Sequence, residues 1–124
     1  MYEVSRDDVF SAAHNLRDYG GKCEALHGHN WRVRISVRAE QLDHLGMVID
    51  FKELKKAMVE VLELLDHHYI NEVPPFDRLN PSAENLARFI GEEVAKKTTN
   101  DRVWVHCCEV WESEGSRAAW YPYR

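Results

Sequence analysis

The sequence predicts an α+β fold, a four-stranded antiparallel sheet with two helices on one face, in the order β-β-α-α-β-β. Three observations carry this. In residues 29–39 the apolar row His29, Trp31, Val33, Ile35, Val37 and Ala39 alternates strictly with Asn30, Arg32, Arg34, Ser36 and Arg38, the period of a half-buried strand. Phe51, Leu54, Met58, Leu62 and Leu65 recur at spacings of three and four, and Leu86, Ala87, Ile90 and Val94 repeat the helical stripe. Residues 102–112 and 117–123 then flank Glu114-Gly115-Ser116 as a closing hairpin. Helices grouped between two pairs of strands indicate an antiparallel sheet with segregated helices.

Taken in order, the first strand is expected over Val9 to His14, with Phe10, Ala12 and His14 on one face. Arg6-Asp7-Asp8 is too polar to continue that pattern cleanly and reads as a bulge. A loop containing Gly20-Gly21 leads to the strand at 29–39, whose apolar face meets the helices. Its three arginines face water, acidic partners or an anionic ligand. After a turn over 41–46, Asp50 caps the first helix and Glu53 completes a capping box. That helix runs about four turns to Asp66-His67-His68, and Pro74-Pro75 imposes a loop. Ser82, after Asn80-Pro81, caps the second helix, and Asn100-Asp101 ends the connection to the hairpin. The second face of the sheet has no cover within the chain and its edges are open, so assembly with other copies is expected.

With 124 residues, 44% hydrophobic and 30% charged, the chain reads as one globular domain over 1–124. No apolar run approaches the ~18 residues of a membrane span, and the start MYEVSRDDVF lacks the features of a signal peptide. The cytoplasm is the expected location. Three cysteines, two of them adjacent at Cys107 and Cys108, cannot form an all-paired disulfide framework. The net charge of -5 argues against general nucleic-acid binding, which relies on surplus Lys and Arg.

The densest chemistry lies in Cys23-Glu24-Ala25-Leu26-His27-Gly28-His29. In an extended segment His27 and His29 project to one side, and His14 shares its face with an apolar row. Three imidazoles with an open fourth position are the ligand set of a catalytic zinc site. Cys23 as a fourth ligand would make the site structural instead, and three unrelated histidines are the remaining reading. Asp66 beside His67 can orient the imidazole and raise its basicity, while a helix C-terminus alone would also favour a cationic His67. Glu112, near the end of the run Val110-Trp111-Glu112, is suited to accept two parallel N–H bonds from a guanidine-like edge. Glu109, three residues earlier, competes for that role if the register differs.

Together, Phe10-Ser-Ala-Ala-His14, Cys23-x-x-x-His27-Gly-His29-Asn, Gly46-Met-Val-Ile-Asp50-Phe, Leu65-Asp66-His67, Asn80-Pro-Ser-Ala-Glu84-Asn85 and Val110-Trp-Glu112-Ser resemble the 6-pyruvoyl-tetrahydropterin synthase family. The motifs span nearly the whole chain in the same order. The three-residue gap between Cys23 and His27 resembles the family's 6-carboxy-5,6,7,8-tetrahydropterin synthase (QueD) branch, whereas the pyruvoyl branch typically has a longer insertion there.

The resemblance implies a tunnelling fold, or T-fold, whose subunits join sheets into a barrel as homo-oligomers, trimers or hexamers, with active sites at subunit interfaces. It implies zinc (Zn2+) on His14, His27 and His29, Cys23 as general base, Asp66 and His67 as a proton relay and Glu112 as pterin anchor. Ser82 and Ala83 match a loop whose backbone helps to hold the pterin. The implied substrate is the pterin triphosphate 7,8-dihydroneopterin triphosphate, and no redox cofactor is implied. The implied product is the 6-carboxy compound with loss of acetaldehyde and triphosphate, or the 6-pyruvoyl compound. A zinc-binding module without turnover is the competing class. Cys23 would have to be a thiolate, which a nearby zinc ion or protonated His67 would favour.

Overall fold

A computed structural model describes residues 1–122. Strands β1 (Tyr2–His14) and β2 (His27–Ala39) are followed by helix α1 (Phe51–Leu62), one 3₁₀ turn at Ile70–Glu72 and helix α2 (Ala83–Thr98). Strands β3 (Val103–Ser113) and β4 (Ser116–Trp120) close the chain. The strands form one antiparallel sheet in the order β1-β2-β3-β4.

β1 is longer than expected, and the expected bulge at Arg6-Asp7-Asp8 is corrected. β1 pairs with β2 residue by residue from Tyr2↔Ala39 to His14↔His27. The polar stretch fits because its carboxylates meet cations across the ladder: Asp7 lies 2.8 Å from Arg32 and 2.6 Å from Arg34, and Glu3 lies 2.7 Å from Arg38. Opposite charges on facing strands stabilise the pair that hydrophobicity alone would not. The arginines of β2 are thus held by acids of the same chain, and Arg32 and Arg34 also stack over Trp111, 4.2 and 5.4 Å from its ring centroid. Register shifts occur elsewhere, at Ser36/Val37 opposite β3 and at Trp111/Ser113 opposite β4.

On the covered face, Trp31, Val33, Ile35 and Val37 of β2 pack with Leu54 and Met58 of α1, Leu86, Ile90 and Val94 of α2 and Val110 of β3 in one core. α1 is three turns rather than four, because the chain tightens into i→i+3 bonds at Leu64 and Leu65. Leu65 still reaches the core, whereas Phe51 stands half exposed beside Tyr2 and Met47. The Asp50 carboxylate accepts the Lys52 N–H at 2.8 Å. Among the described residues Glu53 makes no reciprocal capping-box bond, and it acts as the negative charge of the first turn. Ser82 caps α2 by accepting the Asn85 N–H at 3.2 Å. β4 ends at Trp120, and Tyr123, the expected end of that strand, lies outside the described residues. Cys23, Cys107 and Cys108 are all free thiols, the last two buried. No helix among the described residues is long and apolar enough to cross a membrane.

α2 approaches β3 and β4 through Gly91, where an added Cβ would lie 2.5 Å from the Trp120 ring and 3.0 Å from the Cys108 Cβ. Gly91→Ala should therefore destabilise the fold by about 1–3 kcal/mol through overpacking, read from urea unfolding. The Asp7 carboxyl is held below its ordinary 3.8, chiefly by the hydrogen bond from Arg34. A depressed folded value stabilises above 3.8 and is lost as pH falls through that folded value. Asp7→Asn should cost less than about 1 kcal/mol near neutrality, because the pair is partly solvated. The difference from wild type should vanish on acidification through that window.

Candidate metal centre and active site

The long β1–β2 ladder places His14 opposite His27 at its open end, with His29 two residues along on the same face of β2. Glu112, near the end of β3, reaches the same point. His14, His27, His29 and Glu112 each contribute one ligand atom, all within 4.8 Å of one another. His14 is 2% exposed, the others half-buried.

Backbone carbonyls fix the ring orientations. His14 Nδ1 lies 2.7 Å from the Pro81 carbonyl and His27 Nδ1 lies 2.8 Å from the Ala25 carbonyl. A carbonyl only accepts, so both Nδ1 atoms carry the proton and donate it. In the neutral rings both Nε2 atoms are then bare lone pairs, yet they face each other at 3.1 Å. His29 Nε2 is buried without a hydrogen bond of good geometry, although Glu112 Oε1 lies 2.8 Å away. The same Oε1 is 3.6 Å from His14 Nε2 and from His27 Nε2. Desolvation, opposed by Glu112 and reinforced by the two other histidines, lowers the pKa of His29. The carbonyl bond to Ala25 is the main influence raising that of His27.

The bare Nε2 atoms of His14 and His27 and the Glu112 carboxylate are electron-rich and converge with His29 Nε2, an arrangement that a cation placed among them stabilises. Three imidazoles and a carboxylate suit a divalent transition-metal ion, so the residues present fit a metal. The carbonyls of Pro81 and Ala25 are the outer groups that orient such ligands.

Glu109, the competing acid, is on the other face, 2.7 Å from Arg117. Glu112 and Ala83 line a cavity of about 300 Å³ with Glu84, Ser116 and Arg117. Ser82 precedes it as the cap of α2. Cys23 is exposed and lies outside the metal cluster. Asp66 and His67 also lie outside it, on the free edge of β1. There Asp66 Oδ1 accepts the Ser11 N–H at 2.8 Å and the His67 N–H donates to Ser11 O at 2.6 Å. His67 holds a φ of 59° and is 81% exposed, with Nδ1 3.0 Å from Asp66 Oδ2. The Ser11 N–H, followed by His67, keeps the Asp66 carboxyl below its ordinary value.

Sequence reasoning did not foresee Glu112 against the histidines, although β3 alternation puts Cys108, Val110 and Glu112 on the covered face. It also missed Glu24, whose Oε1 lies 3.7 Å from His27 Nδ1.

Residues 3–122 match the family model described as 6-pyruvoyl tetrahydropterin synthase. The chain is 33% identical to the 6-carboxy-5,6,7,8-tetrahydropterin synthase of a Synechocystis strain, with 100% of this chain and 96% of that one covered. It is 35% identical to the 6-pyruvoyl tetrahydrobiopterin synthase of Poecilia reticulata over 75% of this chain and 73% of the relative. In fold it superposes on the 6-pyruvoyl tetrahydropterin synthase of Caenorhabditis elegans with a TM-score of 0.85 at 24% identity, covering 98% of this chain and 96% of that one.

Titrating metal-free protein with a divalent transition-metal ion should raise its melting temperature, the stabilisation reaching about 2.7 kcal/mol at a hundredfold excess over Kd. His27→Ala and His29→Ala should each abolish the rise. An unchanged wild-type melt would overturn the metal centre.

Proposed function

Since the chain belongs to the 6-pyruvoyl tetrahydropterin synthase family and has the T-fold, we propose that it turns 7,8-dihydroneopterin triphosphate and water into 6-carboxy-5,6,7,8-tetrahydropterin, acetaldehyde and triphosphate. This reaction belongs to 7-deazapurine (queuosine) synthesis. The observation that carries the reading is the convergence of His14, His27, His29 and Glu112 beside a cavity lined by Ala83.

In this reading His14, His27 and His29 hold zinc, which when bound supplies Lewis-acid polarisation of the substrate's side-chain oxygens. Glu112, although its Oε1 faces the histidines, is not a zinc ligand in this reading: its carboxylate accepts two parallel N–H bonds from the amide and amino edge of the pterin, a recognition that a carboxylate makes well. Ser82 and Ala83 hold the same ring: Ala83 opens α2, so its N–H is one of the first-turn donors without an intrahelical partner. Cys23, as thiolate, removes the side-chain proton. Its exposure lets substrate reach it. Asp66 fixes the His67 tautomer through Nδ1 and leaves Nε2 free to exchange a proton.

Asp66 and His67 hang on β1 at Ser11, three residues and about 10 Å of strand from His14. They face outward from a sheet edge. The proposed complete site is therefore shared between copies in a homo-oligomer, trimer or hexamer, whose sheets join at β1 and β4. The second reading is 6-pyruvoyl-tetrahydropterin formation, favoured by relatives of that name at comparable identity.

Incubation with 7,8-dihydroneopterin triphosphate, followed by product identification and an acetaldehyde assay, separates these readings. Acetaldehyde with the 6-carboxy product is expected, the pyruvoyl product without acetaldehyde supports the second reading, and no consumption sinks both. Cys23→Ala should lower kcat by roughly 100-fold or more, the scale of a lost general base, with zinc retained. Loss of zinc in that variant would instead identify Cys23 as a metal ligand and the protein as a binding module.

A further inference from the structure

Where β1 leaves the sheet after His14, the chain does not become an ordinary loop. Asn15 to Arg17, which belong to no strand or helix, have their backbone gripped on both edges. On one edge Asn71 Oδ1 accepts the Asn15 N–H at 3.0 Å and Asn71 Nδ2 donates to Asn15 O at 2.9 Å. Two residues on, Asn80 repeats the pattern: Oδ1 accepts the Arg17 N–H at 2.8 Å and Nδ2 donates to Arg17 O at 3.0 Å. Each amide takes both hydrogen bonds that a neighbouring strand residue would have made.

The other edge holds Glu24. Its N–H donates to Leu16 O at 2.8 Å, its Oε1 accepts the Leu16 N–H at 3.2 Å, and its carbonyl accepts Asn15 Nδ2 at 3.0 Å. Asn15 Oδ1 accepts the Tyr69 hydroxyl at 2.9 Å. Glu24 follows Cys23 directly and touches His27. Asn71 is 6% exposed, so its pairing is shielded from water.

We propose that Asn71 is a positioning residue: through Asn15 and Glu24 it sets the Cys23 segment against the histidine cluster. A flexible, glycine-containing loop would otherwise carry Cys23, since Gly20 and Gly21 both adopt positive φ just before it. Asn71 also sits on the turn that follows Asp66-His67, so one buried amide ties together the segments bearing all the proposed proton-transfer groups. The inference rests on the proposed role of Cys23 for its catalytic part and on the hydrogen bonds alone for its structural part.

The test uses the full zinc-loaded chain carrying Asn71→Asp, which keeps the acceptor for the Asn15 N–H but turns the donor into an oxygen facing Asn15 O. Asn15→Asp, which loses the donor to Glu24 O, is the second variant. Hydrogen exchange in residues 15–24 should accelerate roughly tenfold in both, with the β1–β2 ladder unchanged, as local opening predicts. Bound zinc and KM should hold while kcat falls about tenfold, the consequence of a misplaced base. The double variant should lose no more than either single, because both act along one chain of contacts. Unchanged exchange in both variants overturns the clamp. Additive losses, zinc loss in step with activity, or accelerated exchange at full kcat overturn the positioning role. If wild-type protein consumes no dihydroneopterin triphosphate, the functional reading fails on that result, and the exchange comparison still decides the clamp.

Discussion

The register of β1 against β2 is the constraint on which the rest of the molecule depends. The ladder from Tyr2↔Ala39 to His14↔His27 brings two histidines from opposite ends of a loop into direct opposition. Because side chains alternate faces, a slip of one residue would send His14, Phe10 and Ala12 to the arginine face and dismantle core and metal cluster together. Two different forces hold that register. On the covered face Phe10 stacks on Trp31 with planes 6° apart. On the open face Asp7 and Glu3 lock onto arginines that only one alignment brings opposite.

At its open end the ladder concentrates acceptors. His14 and His27 spend their Nδ1 protons on carbonyls of other segments, which leaves their Nε2 atoms pointing at one another. Acceptors so placed repel one another, and a cation among them offsets that repulsion. The fold itself thus sets the polarity of the centre. The carbonyl of Pro81 belongs to the entry of α2, so the helix that covers the sheet also aims a ligand. Asn80, beside it, clamps the chain leaving His14, and metal geometry and loop geometry share one support.

Much of this was legible along the chain. The period-two pattern of residues 29–39 and the stripes of both helices appear where expected, as do Asp50 and Ser82 as caps. What misled was polarity read without a partner. Arg6-Asp7-Asp8 looks like an interruption because a single strand does not reveal the arginines opposite it. Phe51 looks like core because helical spacing says nothing about where a sheet ends.

The sequence by itself determined the fold class, the strand faces and the trio of histidines, because those follow from local periodicity and from residue types with narrow chemistry. Tertiary structure alone decided that Glu112 joins the histidines while Glu109 pairs with Arg117 on the other face. It alone decided that Asp66 and His67 dock on the outer edge of β1. It also decided that Asn15, Asn71, Asn80 and Glu24 form one clamp. The reason is physical: the docking of Asp66 and the clamp are made by hydrogen bonds between segments up to 63 residues apart, largely to backbone N–H and carbonyl groups. Every residue but proline carries both groups, so they leave no mark in the letters of the chain.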